Sequence, residues 1–130
     1  SGSVGIEALS RGALECDFVD SDSESIKAIE HNLKLTNLTA KGQIFTQEVI
    51  KFIGSTQKKY AIIFLDPFYN DTAYKHIFKT LPMIMEKDAV IIFLHGKNIN
   101  VGDYLNNTSL ISFDQRKYGA TIVDFLKLNY

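Results

Sequence analysis

Tyr60-Ala61-Ile62-Ile63-Phe64-Leu65-Asp66-Pro67-Phe68-Tyr69 decides how this chain reads. Its first six residues are an unbroken apolar run. They lack the alternation of a strand that shows one face to water, so the run predicts a central strand buried on both faces. Asp66 ends the run, Pro67 fixes the backbone and removes a donor, and two aromatic rings follow. A carboxylate and paired rings at the carboxyl end of a strand suit a planar heterocycle that carries an amino group. The rings of Phe68 and Tyr69 can stack on the base. The Asp66 carboxylate and the Pro67 carbonyl can accept the amino hydrogens. Packing of aromatics after a proline stop is the plainer account of the same residues.

On either side of this run, strand patterns alternate with amphipathic helices. Ser1-Gly2-Ser3-Val4-Gly5 is a glycine-rich turn, and Val4 to Leu9 carries apolar residues at helical spacing with Arg11-Gly12 as its stop. A turn of this kind normally follows a strand. None precedes it, so the chain is expected to begin inside a unit. Cys16 to Asp20 reads as a short strand with an acidic end. Ser21-Asp22-Ser23-Glu24 has capping-box spacing, with Asp22 also a candidate cap. Ile26, Ile29 and Leu33 form a helical stripe that Thr36-Asn37 ends. Gln43 to Thr46 predicts a strand, and Glu48 to Ile53 a short helix closed by Gly54-Ser55.

Beyond the decisive run, Tyr74, Ile77, Phe78 and Leu81 make another helical stripe, with Pro82 at a break. Ala89 to Leu94 predicts a second buried strand, and Asn98 to Leu105 is weakly helical. Leu110 to Phe113 and Thr121 to Leu128 are two final strands with Tyr118-Gly119 near their turn. Such an order predicts an open α/β sheet, mostly parallel, with a C-terminal antiparallel hairpin.

Composition sets limits on function. With 130 residues, 45% hydrophobic and 22% charged, the chain is neither a disordered tail nor a disulfide miniprotein. Its formal net charge of -1 excludes a broadly basic nucleic-acid binder, so any such contact must come from a local patch or from another segment. Lys58-Lys59 reads as a solvated loop, and Arg116-Lys117 is the pair that could approach phosphate. The single cysteine, Cys16, allows no internal disulfide and reads as a small buried or edge thiol. No apolar run approaches the roughly 18 residues of a membrane span. No secretory leader is evident, and the protein is read as cytoplasmic. His31, His76 and His95 are scattered without ligand spacing, so no metal is expected.

In an open α/β sheet, ligands bind beyond the carboxyl ends of the strands. The Ser1 to Gly5 turn could bring backbone and helix N–H groups close to a ligand, or be turn chemistry alone. Asp20 is the first acidic residue after its strand, where a carboxylate can accept both hydroxyls of a ribose.

Read together, these stretches resemble the bacterial 16S rRNA guanine-N2 methyltransferases of the RsmD type. Ser1 to Ala13 is similar to that family's opening motif. Phe18-Val19-Asp20 resembles its next motif, where glutamate is usual in place of Asp20. Glu48-Val49-Ile50-Lys51-Phe52-Ile53 resembles the third, where aspartate is usual in place of Glu48. Phe64-Leu65-Asp66-Pro67-Phe68-Tyr69 resembles the Asp-Pro-Pro-Tyr motif of amino-methylating enzymes, with Phe68 replacing the second proline. Arg116-Lys117-Tyr118-Gly119 resembles the closing Arg-x-Tyr-Gly. His95 stands where the family often has glutamate and is expected to be a strand-end polar residue.

The resemblance implies a Rossmann-like class I methyltransferase sheet and a methyltransferase domain over residues 1–130, incomplete at its N-terminus. S-adenosylmethionine is the implied methyl donor. Ser1, Gly2, Ser3 and Gly5 would lie near its methionine and ribose portions, Asp20 and Ser21 at the ribose, and Glu48 and Val49 by the adenine. Asp66, Pro67, Phe68 and Tyr69 would hold and activate the target amine. That target would be guanine N2 in small-subunit ribosomal RNA, met as free RNA or in an assembly intermediate, with the enzyme a monomer. Two other readings stay open: an amino-methyltransferase of DNA adenine or cytosine, and a degenerate methyltransferase-like domain that binds without catalysis.

Overall fold

The computed structural model describes residues 2–66 and 70–129. The chain divides into two compact units, Ser1–Ser55 and Thr56–Tyr130.

The first unit is built on α1 (Ser3–Ser10), β1 (Cys16–Asp20), α2 (Ser23–Leu35), β2 (Gly42–Thr46) and α3 (Val49–Ser55), with a single 3-10 turn at Thr39–Lys41. β1 and β2 pair in parallel, with Asp20 opposite Thr46. The predicted stripes become one core: Ile6 and Leu9 from α1, Phe18 from β1, and Ile26, Ile29 and Leu33 from α2. Each such burial is worth about 1.5–3 kcal/mol. α2 starts one residue later than the capping-box spacing suggests. Asp22, not Ser21, is its N-cap and accepts from the Ser25 N–H at 3.0 Å. The Ser25 hydroxyl, donating to the same carboxylate oxygen at 2.9 Å, reinforces that cap. α2 ends where expected, at Thr36, and Asn37 takes a positive φ of 58°.

The second unit contains β3 (Tyr60–Leu65), α4 (Asp71–Thr80), β4 (Met85–His95), α5 (Val101–Leu105), β5 (Leu110–Tyr118) and β6 (Thr121–Leu128). Its four-stranded sheet has the order β3-β4-β6-β5. β3 and β4 are parallel, and β6 is antiparallel to both β4 and β5, which is the expected C-terminal hairpin. One sheet face carries Ile91, Phe93, Ile122 and Leu126. It belongs to the buried core together with Ile77 and Phe78 of α4, Leu81 and Ile84 of the following 3-10 turn, and Tyr104 of α5. Rings cluster there: Phe78 meets Phe93 edge-on at 5.1 Å, and Tyr74 meets Phe93 at 5.8 Å.

Three sequence expectations change. β3 is not buried on both faces: Ile62 is 56% exposed and Phe64 38%. Among the described residues β3 pairs with β4 alone and is an edge of its sheet, and the face bearing Ile62 and Phe64 is open within its unit. α5 begins at Val101, capped by Asn100, rather than at Asn98. β5 continues to Tyr118, so Arg116 and Lys117 lie in a strand and not in a loop before the turn. A register shift between Ser112 and Asp114 absorbs one extra residue and lets the strand run on.

Candidate active site

In the first unit, the parallel pairing of β1 and β2 sends both chains out at one end. Asp20 closes β1, and Gln47 just past β2 donates its N–H to the Asp20 carbonyl at 3.0 Å. Asp20 Oδ1 accepts the Asp22 N–H at 2.9 Å, which holds the carboxylate at the strand end. Asp22 is engaged as the α2 cap, and two hydrogen bonds from Ser25 hold its carboxyl below the ordinary value. Ser21 is exposed between them. Beyond β2, Glu48 is exposed, its carbonyl accepts from the Phe52 N–H at 3.0 Å, and Val49 starts α3 half-buried. The structure therefore brings Asp20, Ser21, Glu48 and Val49 to the carboxyl ends of two adjacent parallel strands.

The glycine turn has a packing role as well. Gly2 is the N-cap of α1 with φ 72°, and no side chain caps that helix. Gly5 is buried inside α1, where a Cβ would meet Phe18 Cε1 at 2.4 Å and Cys16 Sγ at 2.9 Å. Gly5 thus lets α1 lie directly on β1. Ser3 is exposed at the first turn, and Ser1 lies outside the described residues. Cys16, beneath Gly5, is half-buried, and burial pushes its thiol up to about 11, with the Asp17 charge adding to the effect. That thiol is protonated at neutral pH and is no nucleophile.

In the second unit, Asp66 follows the last residue of β3 and is exposed. Leu65 pairs with Phe93, so Asp66 leaves the sheet at the level where β4 ends in His95. Pro67, Phe68 and Tyr69 lie outside the described residues. Asn70 follows them and caps α4, accepting the Ala73 N–H at 2.8 Å. His95 is buried, not displayed: its Nε2 is 2.5 Å from Asp124 Oδ2 and its Nδ1 is 2.8 Å from the Gly96 carbonyl. The Asp124 carboxylate also accepts from the Ser112 hydroxyl at 2.8 Å and from Gln115 Nε2 at 3.0 Å. Asp124 was not anticipated. The signal was present, since period-two alternation sets it on the same side as Ile122 and Leu126.

Among the described residues, no three His, Cys, Asp or Glu side chains converge as metal ligands. Nor, among the described residues, is any helix long and apolar enough to cross a membrane. A groove of about 380 Å³ lined by Lys75, Lys79, Asp103, Tyr104, Asn106, Asn107 and Thr108 contains none of the anticipated site residues.

This α/β fold is shared with solved methyltransferase structures. A solved example is the putative methyltransferase yhhF from Escherichia coli, with a TM-score of 0.82 and 17% identity over 100% of this chain and 73% of that one. In sequence, the family described as "Conserved hypothetical protein 95" matches residues 1–127. The putative rRNA methyltransferase YlbH of Bacillus subtilis is 30% identical over 98% of this chain and 71% of its own length. Ribosomal RNA small subunit methyltransferase D of Buchnera aphidicola is 30% identical over 75% of this chain, and the match spans half of that relative. The chain belongs to the conserved hypothetical protein 95 family, that of the RsmD-like rRNA methyltransferases. It is an RNA methyltransferase, and a solved structure of the same fold, an O-methyltransferase from neocarzinostatin biosynthesis with a TM-score of 0.76 and 10% identity over 98% of this chain and 46% of that one, is in complex with S-adenosylmethionine.

The donor set fits that cofactor. Asp20 offers a carboxylate whose orientation is fixed through Oδ1 and whose Oδ2 can accept ribose hydroxyls. Gly2 caps α1 with no side-chain hydrogen bond to its first turn, and its α-carbon lies close against Ile29 and Phe18.

Proposed function

We propose that this chain methylates the exocyclic N2 amine of a guanine in small-subunit ribosomal RNA, with residues 1–130 working as one methyltransferase domain. The observation that carries the proposal is Asp66, an exposed carboxylate directly after a parallel strand and at the head of the Asp66-Pro67-Phe68-Tyr69 motif. The protein acts in the cytoplasm as a monomer, on rRNA or on a small-subunit assembly intermediate.

In this reading Asp20 and Ser21 hold the ribose of S-adenosylmethionine. Ser1, Gly2, Ser3 and Gly5 lie along its methionine and ribose portions, and Glu48 and the Val49 backbone lie by its adenine. Bound there, the cofactor supplies an electrophilic methyl group. The remaining chemistry falls to the chain. An exocyclic amine is a weak nucleophile because its lone pair is delocalised into the ring. Asp66 and the Pro67 carbonyl accept its two hydrogens, favour a pyramidal nitrogen with an aimed lone pair, and stabilise the positive charge that develops on it. Tyr69, with Phe68, holds the base once it has left its stack. Alignment of the amine with the methyl group supplies much of the rest of the rate.

The test has two parts. Calorimetry on the protein should show S-adenosylmethionine binding; no binding would sink the enzymatic reading. Methylation mapping of small-subunit rRNA from cells lacking the gene should show one unmethylated guanine N2, and an unchanged map would rule out that target.

A further inference from the structure

The outward face of the β5–β6 hairpin gathers rings and cations that the core does not use. Register places Asp114 opposite Phe125, Arg116 opposite Val123 and Tyr118 opposite Thr121, so their side chains share one face with Phe125 and Lys127. The bulge after Ser112 brings Phe113 to the same group, its ring centroid 6.3 Å from that of Phe125. The Arg116 guanidinium lies 5.2 Å from the Phe125 centroid, and Lys127 Nζ lies 5.2 Å from the Phe113 centroid. Phe113 is 46% exposed and Tyr118 60%. Asp114 accepts from Arg116 Nε at 3.3 Å and steadies the guanidinium. Charged residues alone would guard an edge strand against pairing. Two open rings and the half-buried ring of Phe125, interleaved with two cations, are instead what stacks on bases and takes phosphates.

Register also aims this face at the end of β3, where Asp66 emerges. Leu65, Phe93, Asp124 and Gln115 form one row across the sheet. Arg116 therefore lies on the row of Asp66, three strand spacings or about 14 Å away. Tyr118 and the Gly119 turn extend past that row, at the end of the sheet where Asp66 emerges.

We propose that the outward face of the β5–β6 hairpin binds the single-stranded RNA that flanks the target nucleotide, with Phe113, Phe125 and Tyr118 as stacking surfaces and Arg116 and Lys127 as phosphate contacts. The proposal rests on the rRNA-methyltransferase reading and adds the path of the substrate to it. An RNA strand whose target base enters at Asp66 runs across the sheet edge onto the hairpin within a few nucleotides.

The experiment measures anisotropy of a short fluorescein-labelled single-stranded RNA of mixed sequence, titrated with the protein and its variants at several salt concentrations. S-adenosylmethionine calorimetry and circular dichroism are run on each variant. The double variant Arg116→Gln/Lys127→Gln should bind roughly tenfold more weakly, and its log–log salt slope should shrink by about 1.4, two single-strand phosphate contacts' worth. Phe113→Ala should weaken binding roughly fivefold or more with the salt slope unchanged. Both should bind S-adenosylmethionine as the parent does. Parent-like RNA affinity and slope in both folded variants would overturn the hairpin assignment and leave the methyltransferase reading standing. A parent that binds no S-adenosylmethionine would instead bring down that reading. Unchanged RNA binding with altered self-association in sedimentation would make the face a protein contact and overturn the proposal.

Discussion

His95 Nε2 lies 2.5 Å from Asp124 Oδ2, joining the end of β4 to the middle of β6, with both side chains only 2% exposed. Nδ1 of the same ring faces the Gly96 carbonyl, which can only accept, so Nδ1 carries a proton. Ser112 and Gln115 fill the remaining acceptor sites of Asp124, and no described buried side-chain atom lacks a partner. The pair is a satisfied buried network that ties β4, β5 and β6 together.

Removing half of such a network leaves a stranded polar group. Asp124→Ala should therefore cost about 3–5 kcal/mol of stability, read from urea unfolding. A double-mutant cycle with His95→Ala should show a coupling energy of about 1–3 kcal/mol. Strictly additive effects would mean that the two groups act independently.

Gly5→Ala tests whether the glycine turn is needed for packing. The added methyl would press on Phe18 Cε1 and Cζ at 2.4 and 2.8 Å, and Phe18 is only 7% exposed. Overpacking of this kind costs about 1–3 kcal/mol. Phe18→Leu in the same chain should restore part of the lost thermal stability, because it vacates the space the methyl enters. A Gly5→Ala protein that melts like its parent would show that α1 can shift away from β1.

Cys16 gives the pH-dependent prediction. Burial, followed by the Asp17 charge, raises its thiol from 9.0 to about 11. The group is raised on folding, so its contribution to stability is fully present below pH 9 and is lost as pH climbs through about 11. Iodoacetamide should label native Cys16 slowly at neutral pH and accelerate towards pH 11, while the urea-unfolded chain accelerates nearer pH 9. Equal pH profiles for the two states would contradict the burial of the thiol.

The alternation of strands and helices was legible because apolar periodicity follows directly from burial. The Ile26-Ile29-Leu33 stripe and the Ile77-Phe78 pair lie in the cores that the pattern implies. The placement of Asp20 and Asp66 at strand ends was legible for the same reason. What escaped the sequence depends on neighbours distant along the chain. The run 60–65 is as apolar as a doubly buried strand, yet its exposure is set by which strands flank it. His95 reads as a lone strand-end histidine until β6 brings Asp124 beside it, 29 positions away. The extension of β5 to Tyr118 depends on a bulge, which no periodicity announces.

Asp66→Ala carries the sharpest consequence for chemistry. Asp66 is exposed at the end of β3, so its loss removes no buried contact and should leave thermal stability nearly unchanged. The residues assigned to the cofactor are Ser1, Gly2, Ser3, Gly5, Asp20, Ser21, Glu48 and Val49, none of them Asp66, so S-adenosylmethionine affinity should stay within about twofold of the parent. Methyl transfer should fall by about 10²–10³ or more, the scale lost when one preorganised group facing developing charge is removed. Asp66→Asn should be nearly as damaging although it keeps the shape, because an amide returns only one acceptor oxygen and sets an N–H₂ donor against an amine that must itself donate. Tritium transfer from labelled S-adenosylmethionine to small-subunit rRNA, run beside calorimetry on the same preparations, separates the two effects. An Asp66→Ala protein that still methylates at the parental rate would remove Asp66 from the mechanism.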